Sequence, residues 1–207
     1  IVRQIPSPGQ IKGGEIRFEG QNLLNLRENE LRQFRWRDIA MVFQAAQNSL
    51  NPVMRVADQI IDTAQAHGPM SKSDILDKAS ELLKMVRLEP DRVLHSFPHE
   101  LSGGMKQRVI IALSLLLSPK MLILDEPTTA LDVITQVAIL DILADLRKEL
   151  GLTMMFLTHD MSIIARIADR VAVMYAAQVA EIGSIEDIFY DPLHPYTYGL
   201  IHAVPSL

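Results

Sequence analysis

The stretch from Met121 to His159 limits the possible folds of this chain more than any other. "MLILD" (121–125) and "TMMFLTH" (153–159) are continuous apolar runs. Between them, "VITQVAILDILADLRKEL" carries Val133, Val137, Leu140, Leu143, Leu146 and Leu150 on one helical face. Two apolar strands joined through an amphipathic helix are what a parallel sheet covered on both faces produces. The expected class is α/β, with a mostly parallel sheet flanked by helices.

The rest of the chain fits around that unit. "EIRFE" (15–19) reads as a strand between the turns "GG" and "GQN", "ENELRQFRW" as a short helix, and "IAMVFQ" (39–44) as a compact strand. From Arg55 to Leu88 the pattern turns helical, with Ile75, Ala79, Leu82 and Val86 at spacings of three and four. "SFPHELSGG" is a loop ending in a helix start, and the helix continues through "MKQRVIIALSLLL" until Pro119 stops it. "RVAVMYAAQVAEIG" reads as two short strands around a turn, and "SIEDIFY" and "HPYTYGLIHAV" as closing helices. The resulting division is 1–49 as a sheet region, 50–118 as an inserted helical subdomain, and 119–207 as an α/β core.

Charge and composition remove several function classes. A net charge of -5 with interspersed signs offers no basic stripe for nucleic-acid phosphates. The absence of cysteine excludes disulfides, thiolate metal sites and thiol catalysis. The longest apolar stretch, "VIIALSLLL" (109–117), falls far short of the roughly 20 residues that span a bilayer. The N-terminus "IVRQIPSPGQ" has neither an initiator Met nor the layout of a signal peptide, and reads as the middle of something longer.

Four features carry chemistry. Asp125 and Glu126 end an apolar strand, where ligands of parallel sheets gather. There an Asp can hold Mg²⁺ through its water shell, and the adjacent Glu can orient or deprotonate a water. An isolated "DEP" more often only turns the chain. Ser102, Gly103 and Gly104 open a helix whose N–H groups can receive a phosphate. Alone this too is a common cap, but it lies one helix and one strand upstream of Asp125. His159 follows the second apolar strand and would reach the same sheet edge. Gln44, at the end of "IAMVFQ", can contact a metal or water at the entrance to the helical block.

In chain order these pieces resemble the nucleotide-binding subunit of an ATP-binding-cassette (ABC) transporter. "MVFQ" is similar to the Q-loop, "LSGGMKQR" to the family signature, "MLILDEP" to the Walker B strand, "TTALD" (128–132) to the D-loop and "LTHD" to the switch histidine. "NSLNPVMRV", Met105 in the signature and "DPLHPYTYGLIHAVP" resemble the ATPases of peptide and nickel importers. The resemblance implies ATP and Mg²⁺ as cofactors, with Glu126 as catalytic base, Asp125 serving Mg²⁺, His159 on the γ-phosphate and Gln44 coupling the site to the membrane partner. It also implies a head-to-tail pair with a second ATPase subunit, identical or different. Ser102, Gly103, Gly104 and Met105 would then meet the partner's ATP, and Asp132 would communicate across the dimer. Transmembrane permease subunits, an extracytoplasmic solute-binding protein acting indirectly, and a place on the cytoplasmic face of the membrane complete the expectation. The expected role is ATP hydrolysis that energises uptake of peptides or a related solute.

One departure stands out. The family's phosphate loop is G-x-x-x-x-G-K-[ST]. The only near match, "GQIKGGEI", places Glu15 and Ile16 where Lys and Ser/Thr belong, and a carboxylate there repels phosphate. The segment therefore reads as a turn before "EIRFE". The expectation is a chain without the N-terminal strands and phosphate loop, binding ATP weakly by itself. Two alternatives stand beside it. A chromosome-maintenance ATPase needs a long coiled coil between Gln44 and Ser102, which are only 58 positions apart. A non-catalytic half-site subunit, presenting the signature to a partner's ATP, has no use for Glu126 and His159.

Overall fold

The computed structural model describes residues 2–3, 5, 8–129 and 131–203. Ala130 of "TTALD" and Val204 of the last expected helix lie outside them. The strand expected over 15–19 is present but shorter. Arg17–Phe18 (β1) pairs antiparallel with Gln21–Asn22 (β2). Glu19 and Gly20 make the turn between them, both at positive φ (48° and 81°), so Gln21 and Asn22, read as turn, become strand. Asn22 Oδ1 accepts from Ile16 N (3.2 Å) and Leu24 N (3.1 Å) and fixes the end of this ribbon. Glu28–Phe34 (α1) follows. Glu30 closes its start, pairing with the Arg27 guanidinium (2.8 Å) and accepting from the Arg27 N–H (2.8 Å). The Arg27 side-chain bond, then that N–H, hold the Glu30 carboxyl down at about 2.

Ile39–Val42 (β3) is the compact strand, ending two residues before its expected limit. Val56–Gln65 (α2), Lys72–Met85 (α3) and Pro90–His95 (α4) form the helical block. Ser71 caps α3 by accepting from Asp74 N (3.1 Å), and Ile75, Ala79, Leu82 and Val86 are all buried as their spacing predicts. Gly103–Ser114 (α5) stops short of the end of its apolar run. Leu115, Leu116 and Ser118 bond to carbonyls only three residues back, so the helix tightens before Pro119.

Met121–Asp125 (β4) and Val133–Leu150 (α6) match their expected limits. Asp132 caps α6, and Gly151 closes it in the left-handed conformation (φ 62°), where a Cβ is costly. Only the middle of the expected stripe of α6 is buried: Leu140, Leu143 and Leu146 are, joined by Ile139 and Ile142, whereas Val133, Val137 and Leu150 are exposed (73%, 37% and 43%). The first turns of α6 supply its cap and not its core. Thr153–Leu157 (β5) completes a sheet in the order β3-β4-β5. It lies at the sheet edge among the described residues, and alternate side chains are exposed instead of doubly covered.

The chain divides into two compact units, Ile1–Phe156 and Leu157–Leu207. In the first, α5 packs against α3, α6 and β3. It buries Val109, Ile110, Ile111, Ala112 and Leu113 at 8% exposure or less. Leu23, Leu31, Phe34, Ile39 and Ile123 form a second apolar cluster there, with Phe18 edge-on to Phe34. The second unit contains Met161–Ile167 (α7), Arg170–Tyr175 (β6), Gln178–Ser184 (β7), Ile185–Tyr190 (α8) and Pro195–His202 (α9). β6 and β7 form an antiparallel hairpin with an irregular register at Val173/Met174. Val171, Val173 and Ile188 are its core. The opposite hairpin face leaves Met174, Val179 and Ile182 exposed by 61%, 58% and 59%. No helix among the described residues is long and apolar enough to cross a membrane.

Candidate functional site

β3 and β4 run parallel with Val42 opposite Leu124, so the residues just past both strands emerge at one sheet edge, at the carboxyl ends where parallel sheets bind ligands. Gln44 leaves β3 into a turn, and its Nε2 donates to Glu126 Oε2 at 3.4 Å. Thr129 Oγ1 donates to the same oxygen at 2.7 Å, and its N–H bonds to the Glu126 carbonyl at 3.2 Å. Glu126 takes a left-handed backbone conformation (φ 46°), uncommon for a residue with a Cβ and concentrated at functional positions. Asp125 precedes it, half-buried, as the last residue of β4. Gln44 and Glu126, expected at the ends of two different strands, thus meet beside Asp125. Thr129 belongs with them but was given no role, because a Thr in "TTALD" has no chemistry of its own until the turn folds it back.

Ser102 is exposed at the start of α5, and its Oγ accepts from Met105 N at 3.3 Å. Gly103 and Gly104 form the first turn, where unpaired N–H groups favour an anion. Both glycines also face neighbours in their own chain. A Cβ on Gly103 would lie 3.4 Å from Gln47 Oε1 and 3.7 Å from Leu131 Cδ2. On Gly104 it would lie 2.6 Å from Thr135 Cγ2. Gln47 Oε1 is buried and has no hydrogen-bond donor among the described residues. Arg108 ties the same turn down from behind, its Nε donating to Gly104 O (3.2 Å) and Nη1 to Arg87 O (3.1 Å). Asp132 accepts from Thr135 Oγ1 (2.7 Å) and Thr135 N (2.9 Å). These bonds, the side-chain one first, hold its carboxyl below the usual aspartate range. Gln47 and Thr135 were not singled out from sequence. The D-x-x-T spacing at the start of α6 is the signal that marks Thr135.

His159 is exposed, in the second unit, immediately before Asp160. Asp160 caps α7 by accepting from Ser162 N at 2.8 Å. The near match to a phosphate loop at 9–16 is exposed almost throughout and leads into β1, not into a helix. Glu15 pairs with Arg17 (2.9 Å), and a Cβ on Gly13 or Gly14 would meet nothing within 4 Å. This segment has Glu15 where the motif needs its lysine and opens no helix, and its own Lys12 donates to Gln10 Oε1 at 2.7 Å. No group of three or more His, Cys, Asp or Glu with metal-binding geometry occurs among the described residues. Asp125 and Glu126 still fit Mg²⁺, which is commonly held by one or two carboxylates with substrate phosphates and water as its other ligands.

Residues 2–129 match the family described as ABC transporter, and residues 180–207 match the oligopeptide/dipeptide transporter C-terminal region. The whole chain aligns at 52% identity with 64% of the dipeptide transport ATP-binding protein DppD of Caldanaerobacter subterraneus. It aligns at 48% identity with 58% of the oligopeptide transport ATP-binding protein OppD of Bacillus subtilis. The chain thus spans about three fifths of the length of these curated relatives. Among solved structures, the dimeric ATP-binding cassette MJ0796 in a post-hydrolysis state with ADP and Pi superposes with a TM-score of 0.71 at 31% identity, over 84% of this chain and 74% of that one.

Proposed function

This chain belongs to the ABC transporter family of ATP-binding proteins, and from that premise we propose that the whole protein hydrolyses ATP to energise import of peptides or a related solute. The match of 180–207 to the oligopeptide/dipeptide transporter C-terminal region supports peptides as the solute class. The observation that carries the catalytic reading is the Gln44–Glu126 contact at 3.4 Å beside Asp125, at the carboxyl ends of β3 and β4.

When bound, Mg-ATP supplies the γ-phosphoryl group and the charge neutralisation its transfer needs. The chain's residues then have separate tasks. Glu126, its Oε2 held by Thr129 and Gln44, accepts a proton from the attacking water at its carboxylate. Asp125 would hold Mg²⁺, and Gln44 couples the site to the membrane partner. Ser102, Gly103, Gly104 and Met105, with Asp132, face a nucleotide carried by a second ATPase subunit. His159 contacts the γ-phosphate, a role that rests on the sequence resemblance. The partners are that second subunit and the membrane-spanning permease subunits, on the cytoplasmic face of the membrane, with a solute-binding protein acting through them.

A second reading is a subunit that only presents Ser102 in trans. The hydrogen-bonded Glu126 favours the catalytic reading, since a purely presenting subunit needs no oriented carboxylate. The test is ATP turnover by the whole protein, reconstituted with its permease, beside the Glu126→Gln form. Turnover abolished by the substitution with nucleotide binding retained is the expected result. Equal turnover by both forms rejects Glu126 as the base.

A further inference from the structure

We infer that Thr135 is a positioning residue that joins the first turn of α5 to the start of α6, so that Ser102 and Asp132 are presented as one body. The inference deepens the proposed ATPase reading and rests on it. Its basis is the approach of Thr135 to Gly104: a Cβ on that glycine would stand 2.6 Å from Thr135 Cγ2, closer than a real Cβ contact. Gly104 is also buried, whereas Ser102 and Gly103 are exposed. The second glycine of "SGG" is thus required by its own chain, whatever the helix start binds.

The methyl group cannot simply swing aside. Thr135 sits in the first turn of α6, where a β-branched side chain has few χ1 choices. Its Oγ1 is committed to Asp132 Oδ2 at 2.7 Å, and its N–H to Asp132 Oδ1 at 2.9 Å. Asp132 therefore selects the rotamer that places the methyl group on Gly104. Leu131, one residue earlier, comes within 3.7 Å of the corresponding position on Gly103. A displacement of the segment before α6 is passed to the signature turn by contact, and the reverse also holds.

Substitutions at the two positions separate this link from the general ATPase reading. In the whole protein, Gly104→Ala lowers the melting midpoint and slows ATP turnover about tenfold, the scale of one overpacked contact. Adding Thr135→Ser removes the methyl group, keeps the hydroxyl on Asp132, and restores both quantities to within about threefold of the parent in turnover. Thr135→Val keeps the shape and the N–H bond to Asp132 Oδ1 but removes the hydroxyl bond to Oδ2; it lowers kcat with KM unchanged and raises hydrogen exchange at the Met105 N–H, which lies on α5.

Failure of Thr135→Ser to recover the melting midpoint of Gly104→Ala overturns the contact. Unchanged kcat in Thr135→Val overturns the positioning role, leaving packing alone. Unchanged Met105 exchange in Thr135→Val overturns the coupling. Absence of turnover in the parent protein overturns the ATPase reading instead, while the melting and exchange measurements still decide the link.

Discussion

Gln44 and Glu126 lie 82 positions apart in sequence, and their side chains meet at 3.4 Å because β3 and β4 are parallel and in register. The amide donates to the oxygen that already accepts from Thr129, so two donors hold Oε2 and orient the carboxylate of the proposed base. Replacing the base and replacing its holder then have different consequences. Glu126→Gln lowers kcat of the whole protein by about 10²–10⁴-fold. Gln44→Ala leaves the carboxylate chemistry intact and costs about 10–100-fold through misplacement. Single-turnover kinetics beside nucleotide binding check both, and equal losses from the two substitutions would count against separate roles.

The site also depends on what lies beneath it. Leu124 is fully buried (0% exposed) in β4, directly before Asp125. Leu124→Ala should cost about 2–5 kcal/mol of stability by removing buried methyl groups and leaving a cavity. Urea unfolding measures this, and a loss below about 1 kcal/mol would mean that the strand relaxes around the gap.

In the second unit, Glu181 on β7 holds the approach to α9. Its Oε1 accepts from Leu193 N (2.8 Å) and its Oε2 from His194 N (3.1 Å). The buried Thr197 hydroxyl lies against the same carboxylate, outside full hydrogen-bond geometry. Thr197 first, then these N–H groups, hold the Glu181 carboxyl below the ordinary glutamate range. A depressed carboxylate contributes stability above its unfolded-state pKa and loses it as pH falls through its folded-state pKa. Glu181→Gln should therefore melt below the parent at neutral pH, with faster exchange at Leu193 and His194. The gap should close in acid, and a pH-independent gap would rule out the charged contact.

Segment 9–16 yields a binding prediction. With Glu15 at the position of the motif's lysine and paired with Arg17, residues 1–207 expressed alone should bind Mg-ATP weakly. Isothermal titration measures this, and micromolar affinity would require another phosphate contact within these residues.

The parallel sheet and the placing of carboxylates at its edge were legible because continuous apolar strands and their terminal acids are local patterns. "MLILD" and "VITQVAILDILADLRKEL" set the limits of β4 and α6, and the buried positions of α3 followed from spacing alone. The misreadings arose where tertiary context decides. Val133 and Leu150 satisfy a helical apolar stripe, yet the surface that α6 meets lies under Ile139 and Ile142. Gln21 and Asn22 look like turn residues, but the positive φ angles at Glu19 and Gly20 move the turn upstream. Gln47 was invisible because its importance lies in which glycine it faces, and the D-x-x-T spacing marks Thr135 only as a partner of the Asp132 cap, not as the residue against Gly104.

The outer face of the β6–β7 hairpin bears on how the protein is handled. Met174, Val179 and Ile182 present a continuous greasy strip to solvent, the kind of patch on which molecules stick to each other. Sulfate, which strengthens apolar burial, should cloud concentrated stocks before chloride does at equal ionic strength. The same strip should delay elution from a phenyl column, and an Ile182→Lys form should run ahead of the parent there.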